Sequence, residues 1–161
     1  MIHSLPEKHN AEGRAYCGPT VLMFLTGMSL KEIRASINRV RLKRGDDTIR
    51  WIYNKRGDGH KKVKRKTTSM VKGMYSSEIT AMLKKLRIPY KQVSRPKYKT
   101  LRAMANDMEH VKQPVIVNTT DHYVLLYHGM IYDTYRKRGC SFQEHPCAGR
   151  KIQSYWLINR R

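Results

Sequence analysis

Acidic residues are scarce in this chain. Twelve Asp and Glu stand against 33 Lys and Arg in 161 residues, a formal charge of +21. Such an excess on 18.9 kDa favours polyanionic partners: DNA, RNA, acidic proteins or anionic cell-wall polymers. Long apolar runs are lacking too. The longest, Val21–Leu25, falls far short of the roughly 20 residues needed to span a bilayer. The opening MIHSLPEKHN has no apolar stretch of the secretory kind. Neither a membrane-embedded nor a conventionally exported protein is expected, so no membrane partner is. Cysteine is rare: three residues, an odd count that argues against a closed disulfide framework and for a reducing, cytoplasmic setting. Repeats and low-complexity tracts are absent apart from one basic run.

What is present suffices for a core. About 40% of residues are hydrophobic, so the chain is not disordered overall despite its charge. Its length suits one domain over 1–161, burying roughly 70% of its unfolded surface. The basic excess concentrates between Arg39 and Lys72, with 13 Lys/Arg and three Asp. Its densest part holds Lys61, Lys62, Lys64, Arg65 and Lys66. Trp51, Tyr53 and Tyr75 lie in or beside it and could stack on bases. This segment, about 42–72, reads as a long loop or inserted ribbon: a nucleic-acid contact through phosphates, or a solvated basic loop. There is neither zinc-finger spacing nor a ribonucleoprotein-type aromatic signature.

Periodicity orders the rest. CGPTVLMFLTG (17–27) reads as a helix, with Pro19 in its first turn and Gly27 at its stop. Ser29 and Glu32 form a capping box opening a helix of roughly 30–41, apolar at Leu30, Ile33, Ile37 and Val40. Ser76 or Ser77 caps a helix over 78–86, and Thr100 one over 101–111. Strands are expected at 90–93, 115–117, 122–127, 130–134 and 154–158, with His128-Gly129 as a hairpin turn and a polar loop over 135–151. Helices followed by an antiparallel sheet give an α+β class.

Cys17 opens the first helix. A helix N-terminus offers partial positive charge and free N–H groups, which lower a thiol's pKa and can hold an oxyanion. A buried cysteine would instead be a small apolar residue. A nucleophilic thiol needs a base, and of seven histidines only His122 opens a strand of the expected core hairpin. With a two-residue turn, Tyr127 pairs with Met130 and Val124 with Asp133. Asp133 then becomes a diagonal neighbour of His122 on one face. An aspartate there would fix the imidazole's tautomer and stabilise its cation. Cys140, His145 and Cys147 invite a zinc reading, but three candidates, with His60 as a distant fourth, fall short of a structural site. Loop thiols are the expectation, with no metal and no cofactor.

The stretch Tyr16-Cys17-Gly18-Pro19-Thr20-Val21-Leu22-Met23, with Pro114–Val117, His122–Leu126 and Ile131-Tyr132-Asp133, resembles papain-like cysteine peptidases. It is most similar to the bacteriocin-processing, double-glycine branch, including small phage-encoded members. The resemblance leaves out 42–72. It implies a Cys-bearing helix packed on an antiparallel sheet, with Cys17 as nucleophile, His122 as general base and acid, and Asp133 as orienting residue. The implied activity is hydrolysis of a peptide or isopeptide bond in a peptide or protein substrate, in a host cytoplasm or virion. The family places a Gln about six residues before the Cys to complete the oxyanion hole. Ala11 stands there, and Asn10, one residue further, could supply the amide. Without it the Cys17 N–H is one donor, and loss of a donor typically costs about 10²–10³ in rate. Two alternatives remain: a weak or inactive peptidase-like protein that binds nucleic acid or travels with a virion, and a cell-wall amide hydrolase.

Overall fold

The computed structural model describes residues 2–3, 17–43, 50–51, 62–63, 74–108, 112–120, 122–136 and 138–159. Asn10, Lys61, Lys64, Arg65 and Lys66 lie outside them, as does most of the basic segment. Within that segment β1 (Arg50–Trp51) pairs antiparallel with β2 (Lys62–Val63), Arg50 opposite Val63.

Helix α1 (Cys17–Thr26) begins at the cysteine. Pro19 sits in the first turn, where its missing N–H has no intrahelical partner to lose. Gly27, at φ +73°, closes the helix, its N–H bonding the Met23 carbonyl at 2.8 Å. Gly18 through Leu25 are all buried, which explains an apolar sequence without a polar stripe. Helix α2 (Leu30–Lys43) starts on the expected box. The Ser29 N–H donates to Glu32 Oε2 at 2.8 Å, and the Glu32 N–H to Ser29 Oγ at 3.3 Å. It buries Ile33, Ile37 and Val40. It runs two residues past the expected end, to Lys43, and buries Arg41 against Glu78, Nε to Oε1 at 2.5 Å.

Helix α3 (Ser76–Lys85) corrects the expected cap. Its N-cap is Tyr75, whose N–H donates to Glu78 Oε2 at 2.8 Å. Ser76 is helical, and its hydroxyl turns toward the sheet. Helix α4 (Leu101–Asp107) is capped by the Thr100 hydroxyl as expected but stops before Met108, short of Val111.

Strands β3 (Tyr90–Val93), β4 (Val115–Thr119), β5 (His122–Tyr127), β6 (Met130–Tyr132), β7 (Cys140–Ser141) and β8 (Ile152–Ile158) form one antiparallel sheet, ordered β3-β8-β4-β5-β6-β7. Ile116, Tyr123, Leu125, Trp156 and Ile158 face α1, α2 and α3. Val115, Val117, Val124, Leu126, Ile131 and Tyr155 face Leu101 and Met104 of α4. Alternation thus places Tyr123 and Leu125 against one core and Val124 and Leu126 against the other, so HYVLLY shows no polar face. The class is α+β.

Two expectations fail around β6. The strand ends at Tyr132, not at 134, so Asp133 lies just beyond the ladder. The stretch 135–151 is not a simple polar loop: it contains β7 and buries His145, Cys147 and Ala148. Cys140 and Cys147 are therefore buried thiols, not loose ones, and both are free. Backbone bonds fasten this stretch to α4, Arg102 N–H to the Ala148 carbonyl at 2.8 Å and Leu101 N–H to the Arg150 carbonyl at 3.1 Å. Among the described residues no helix is long and apolar enough to cross a membrane.

Candidate active site

The β5–β6 hairpin sets the geometry. His128 and Gly129 both have positive φ, 48° and 70°, the conformation whose twist suits a two-residue hairpin turn. Tyr127 therefore faces Met130, Leu126 faces Ile131 and Leu125 faces Tyr132, the register read from the sequence. His122 and Asp133 fall on one face, and His122 Nε2 lies 2.6 Å from Asp133 Oδ2. An ionised carboxylate only accepts, so Nε2 carries the hydrogen, and Nδ1 is left for a second partner.

That partner is Cys17. It opens α1, is half-buried, and hydrogen-bonds the His122 ring. Burial pushes the thiol up. The His122 hydrogen bond, the Tyr123 backbone, the imidazolium charge and the Gly18 backbone together outweigh it and hold Cys17 below 9.0. For His122 burial pushes down, but Asp133 and Cys17 outweigh it and raise the ring from 6.5 to about 9. The two shifts favour a proton on the imidazole and a negative charge on sulfur, the reactive form of such a pair.

Asp133 is fully buried. Alone there it would hold a proton. Instead its Oδ1 accepts the N–H groups of Tyr135 (2.8 Å) and Arg136 (2.9 Å), and its Oδ2 accepts from His122. Burial is thus overcome by His122 and His145, and the carboxyl stays well below the usual carboxylate range. The Tyr135 ring, partly exposed, lies 5.3 Å from the His122 ring.

Sequence reasoning missed two neighbours. Tyr123 gives its backbone to the Cys17 sulfur and shares a hydrogen bond between its hydroxyl and Ser76 Oγ at 3.3 Å, and Ser76 Oγ accepts from Asn118 Nδ2 at 3.1 Å. His145, read from the sequence only as part of a deficient zinc set, is buried with Nε2 3.2 Å from Asp133 Oδ2. No local signal marks it; the backbone ties to α4 put it there.

Cys140, His145 and Cys147 do not form a metal set among the described residues. The group whose atoms lie within 4.8 Å of one another is His122, Asp133 and Cys147. Two ligands of one tetrahedral zinc stand roughly 3.3 Å apart at the usual bond lengths. The 2.6 Å His122–Asp133 contact is too tight for that and fits a shared proton. The structure thus brings together Cys17, His122 and Asp133, while Asn10 and the Lys61–Lys66 cluster stay outside the described residues, apart from the Lys62 backbone in β2. Comparison with known families, with curated proteins and with solved structures returns no match.

Proposed function

We propose that the chain is a thiol hydrolase that cleaves a peptide or isopeptide bond, on a papain-like cysteine peptidase fold of the bacteriocin-processing kind. The observation that carries this reading is one connected line of side chains, Cys17 to His122 to Asp133, running from the start of α1 through β5 to the residue just past β6. The Cys17 thiolate attacks the amide carbon, and the carbonyl electrons move to oxygen. The α1 start offers backbone N–H groups near that oxyanion. His122 gives its Nδ1 proton to the departing nitrogen as the C–N bond breaks, leaving a Cys17 thioester. Water then attacks, its proton goes to His122, and the C–S bond breaks. Asp133 holds the ring and its cation throughout.

Treatment with p-nitrophenyl acetate followed by peptide mapping tests this. A hydroxylamine-sensitive acetyl group is expected on Cys17, and His122→Ala should abolish it. Acetylation confined to lysines, or spread evenly over the three cysteines, would overturn the reading.

A second reading, polyanion binding, is favoured by one feature. Arg39 and Lys43 of α2 and Lys85 of α3 line a hollow of about 500 Å³ floored by Val40 and Ala81. Burial, then repulsion from Arg39 and Lys43, lowers the pKa of Lys85 below 10.5. An anion would relieve that crowding. Salt-dependent retention of the chain on duplex DNA, weakened by Lys43→Glu/Lys85→Glu, is the expected result. Retention insensitive to salt would remove it.

A further inference from the structure

Asp133 is approached by two imidazoles, and the reaction proposed above uses only one. We propose that His145 is a positioning residue of that site, a fourth member that acts on His122 through Asp133. The inference rests on the hydrolase reading, and it concerns how the site's proton is held.

The His145 ring is held on its other side as well. The Cys147 backbone N–H donates to His145 Nδ1 at 3.1 Å. A nitrogen that accepts a hydrogen bond carries no hydrogen of its own, so the ring hydrogen is on Nε2. Nε2 lies 3.2 Å from Asp133 Oδ2, the same oxygen that bonds His122. The contact is within ion-pair reach but off the line of a well-aligned hydrogen bond, and among the described residues Nε2 has no other polar partner. Its side chain is fully buried, so water does not screen the N–H dipole.

Oδ1 is already fixed by the Tyr135 and Arg136 N–H groups, so the orientation of the carboxyl does not need His145. What the ring adds is a positive dipole end at Oδ2. That dipole draws off part of the negative potential His122 feels, and the imidazolium is held less tightly than by Asp133 alone. An imidazolium bound too tightly is a poor acid toward a leaving nitrogen, because proton transfer works best with a pKa near the working pH. The other titratable groups around this centre are Cys17 at the His122 ring, Tyr135 beside it, and Cys140 and Cys147, which sense the Asp133 charge. Arg136 and Glu144 act on Cys140, and Arg150 on Cys147. No side chain other than His122 and His145 is placed to donate to Oδ2 among the described residues.

The test is NMR titration of the His122 ring in the full-length chain as wild type, His145→Leu and His145→Gln. Leucine removes the dipole, and glutamine keeps an N–H donor that can reach Oδ2. In His145→Leu the His122 pKa should rise by on the order of one pH unit, and His145→Gln should return it most of the way. An unchanged His122 pKa in His145→Leu, or equal shifts in both variants, would overturn the proposal, the latter by showing a packing effect. If neither variant folds, the wild-type ring decides alone: its nitrogen shifts must show Nε2–H with a bare Nδ1, and the opposite tautomer would overturn it. Failure of the hydrolase reading shows separately, as a Cys17 that alkylates no faster than Cys140 and Cys147 in the wild type.

Discussion

His122 and Asp133 are eleven residues apart in the chain and 2.6 Å apart in space. The tight turn at His128-Gly129 makes this so. An even number of turn residues puts both side chains on one face, and an odd number would turn them to opposite faces. The start of the Cys17 helix then needs only to meet the His122 end of β5.

Thiol reactivity should separate the three cysteines. Burial raises the pKa of Cys140 and of Cys147, while Cys17 is lowered by its partners despite burial. Each pKa unit changes the thiolate fraction about tenfold near neutral pH. At pH 7 iodoacetamide should therefore alkylate Cys17 at least about tenfold faster than either of the others. His122→Ala should slow Cys17 by a similar factor. Peptide mapping over a time course reads both, and equal rates for the three thiols would contradict the site.

Asp133→Asn should uncouple the pair without emptying the space. Asparagine keeps one acceptor for the Tyr135 and Arg136 N–H groups but loses the charge that raises His122. The His122 pKa, about 9 in the native chain, should fall toward 6.5, as read by NMR titration. Acyl transfer to Cys17 should drop by roughly 10²-fold or more, the usual weight of a general acid–base partner. A His122 pKa that stays near its native value would mean that Asp133 does not govern it.

Much of this was legible from local pattern. The hairpin register followed from a turn dipeptide and period-two counting, and the Cys17 helix from a proline, a glycine and an apolar run. What stayed hidden depended on contacts distant in sequence. His145 looks like any loop histidine, and only the pairing of Ala148 and Arg150 with the start of α4 carries it to Asp133. Cys140 looks exposed until β7 pairs with β6, Cys140 opposite Ile131. Ser76 was a good capping residue by propensity, yet its hydroxyl serves Tyr123 and Asn118, and Glu78 caps Tyr75 instead. In each case tertiary partners outcompeted a local preference.

Gly18 should be intolerant of a side chain for a reason of space. Alanine is the better helix former by roughly 1 kcal/mol, so propensity alone predicts a gain. A Cβ at Gly18, however, would stand 2.8 Å from Met74 Cβ. Relief requires α1 to shift at the residue next to Cys17. Gly18→Ala should lose stability by about 1–3 kcal/mol, the usual cost of overpacking, and slow Cys17 alkylation. Adding Met74→Ala should recover part of both, measured by urea denaturation and alkylation rate. A stabilised Gly18→Ala with native Cys17 reactivity would show that the contact gives way freely.

The pH dependence of stability should carry the signature of an internal proton transfer. His122 has a raised pKa in the folded state, so its stabilisation is complete below 6.5 and is lost as pH rises through about 9. Cys17 has a lowered pKa, so its stabilisation is complete above 9.0 and is lost as pH falls through its folded value. Above 6.5 and above the folded Cys17 value, up to about 9.0, the unfolded pair holds one proton, on sulfur. The folded pair also holds one, on the imidazole. With equal protons in both states, the slope of stability against pH from this pair is near zero. Cys17→Ala removes the compensation and leaves His122 raised by Asp133 alone. Its stability should then fall across this interval, by at most about 1.4 kcal/mol per pH unit. Urea denaturation of the two proteins at matched pH reads the difference. A wild type that declines as steeply as Cys17→Ala would mean that the sulfur keeps its own proton and the two groups do not share one.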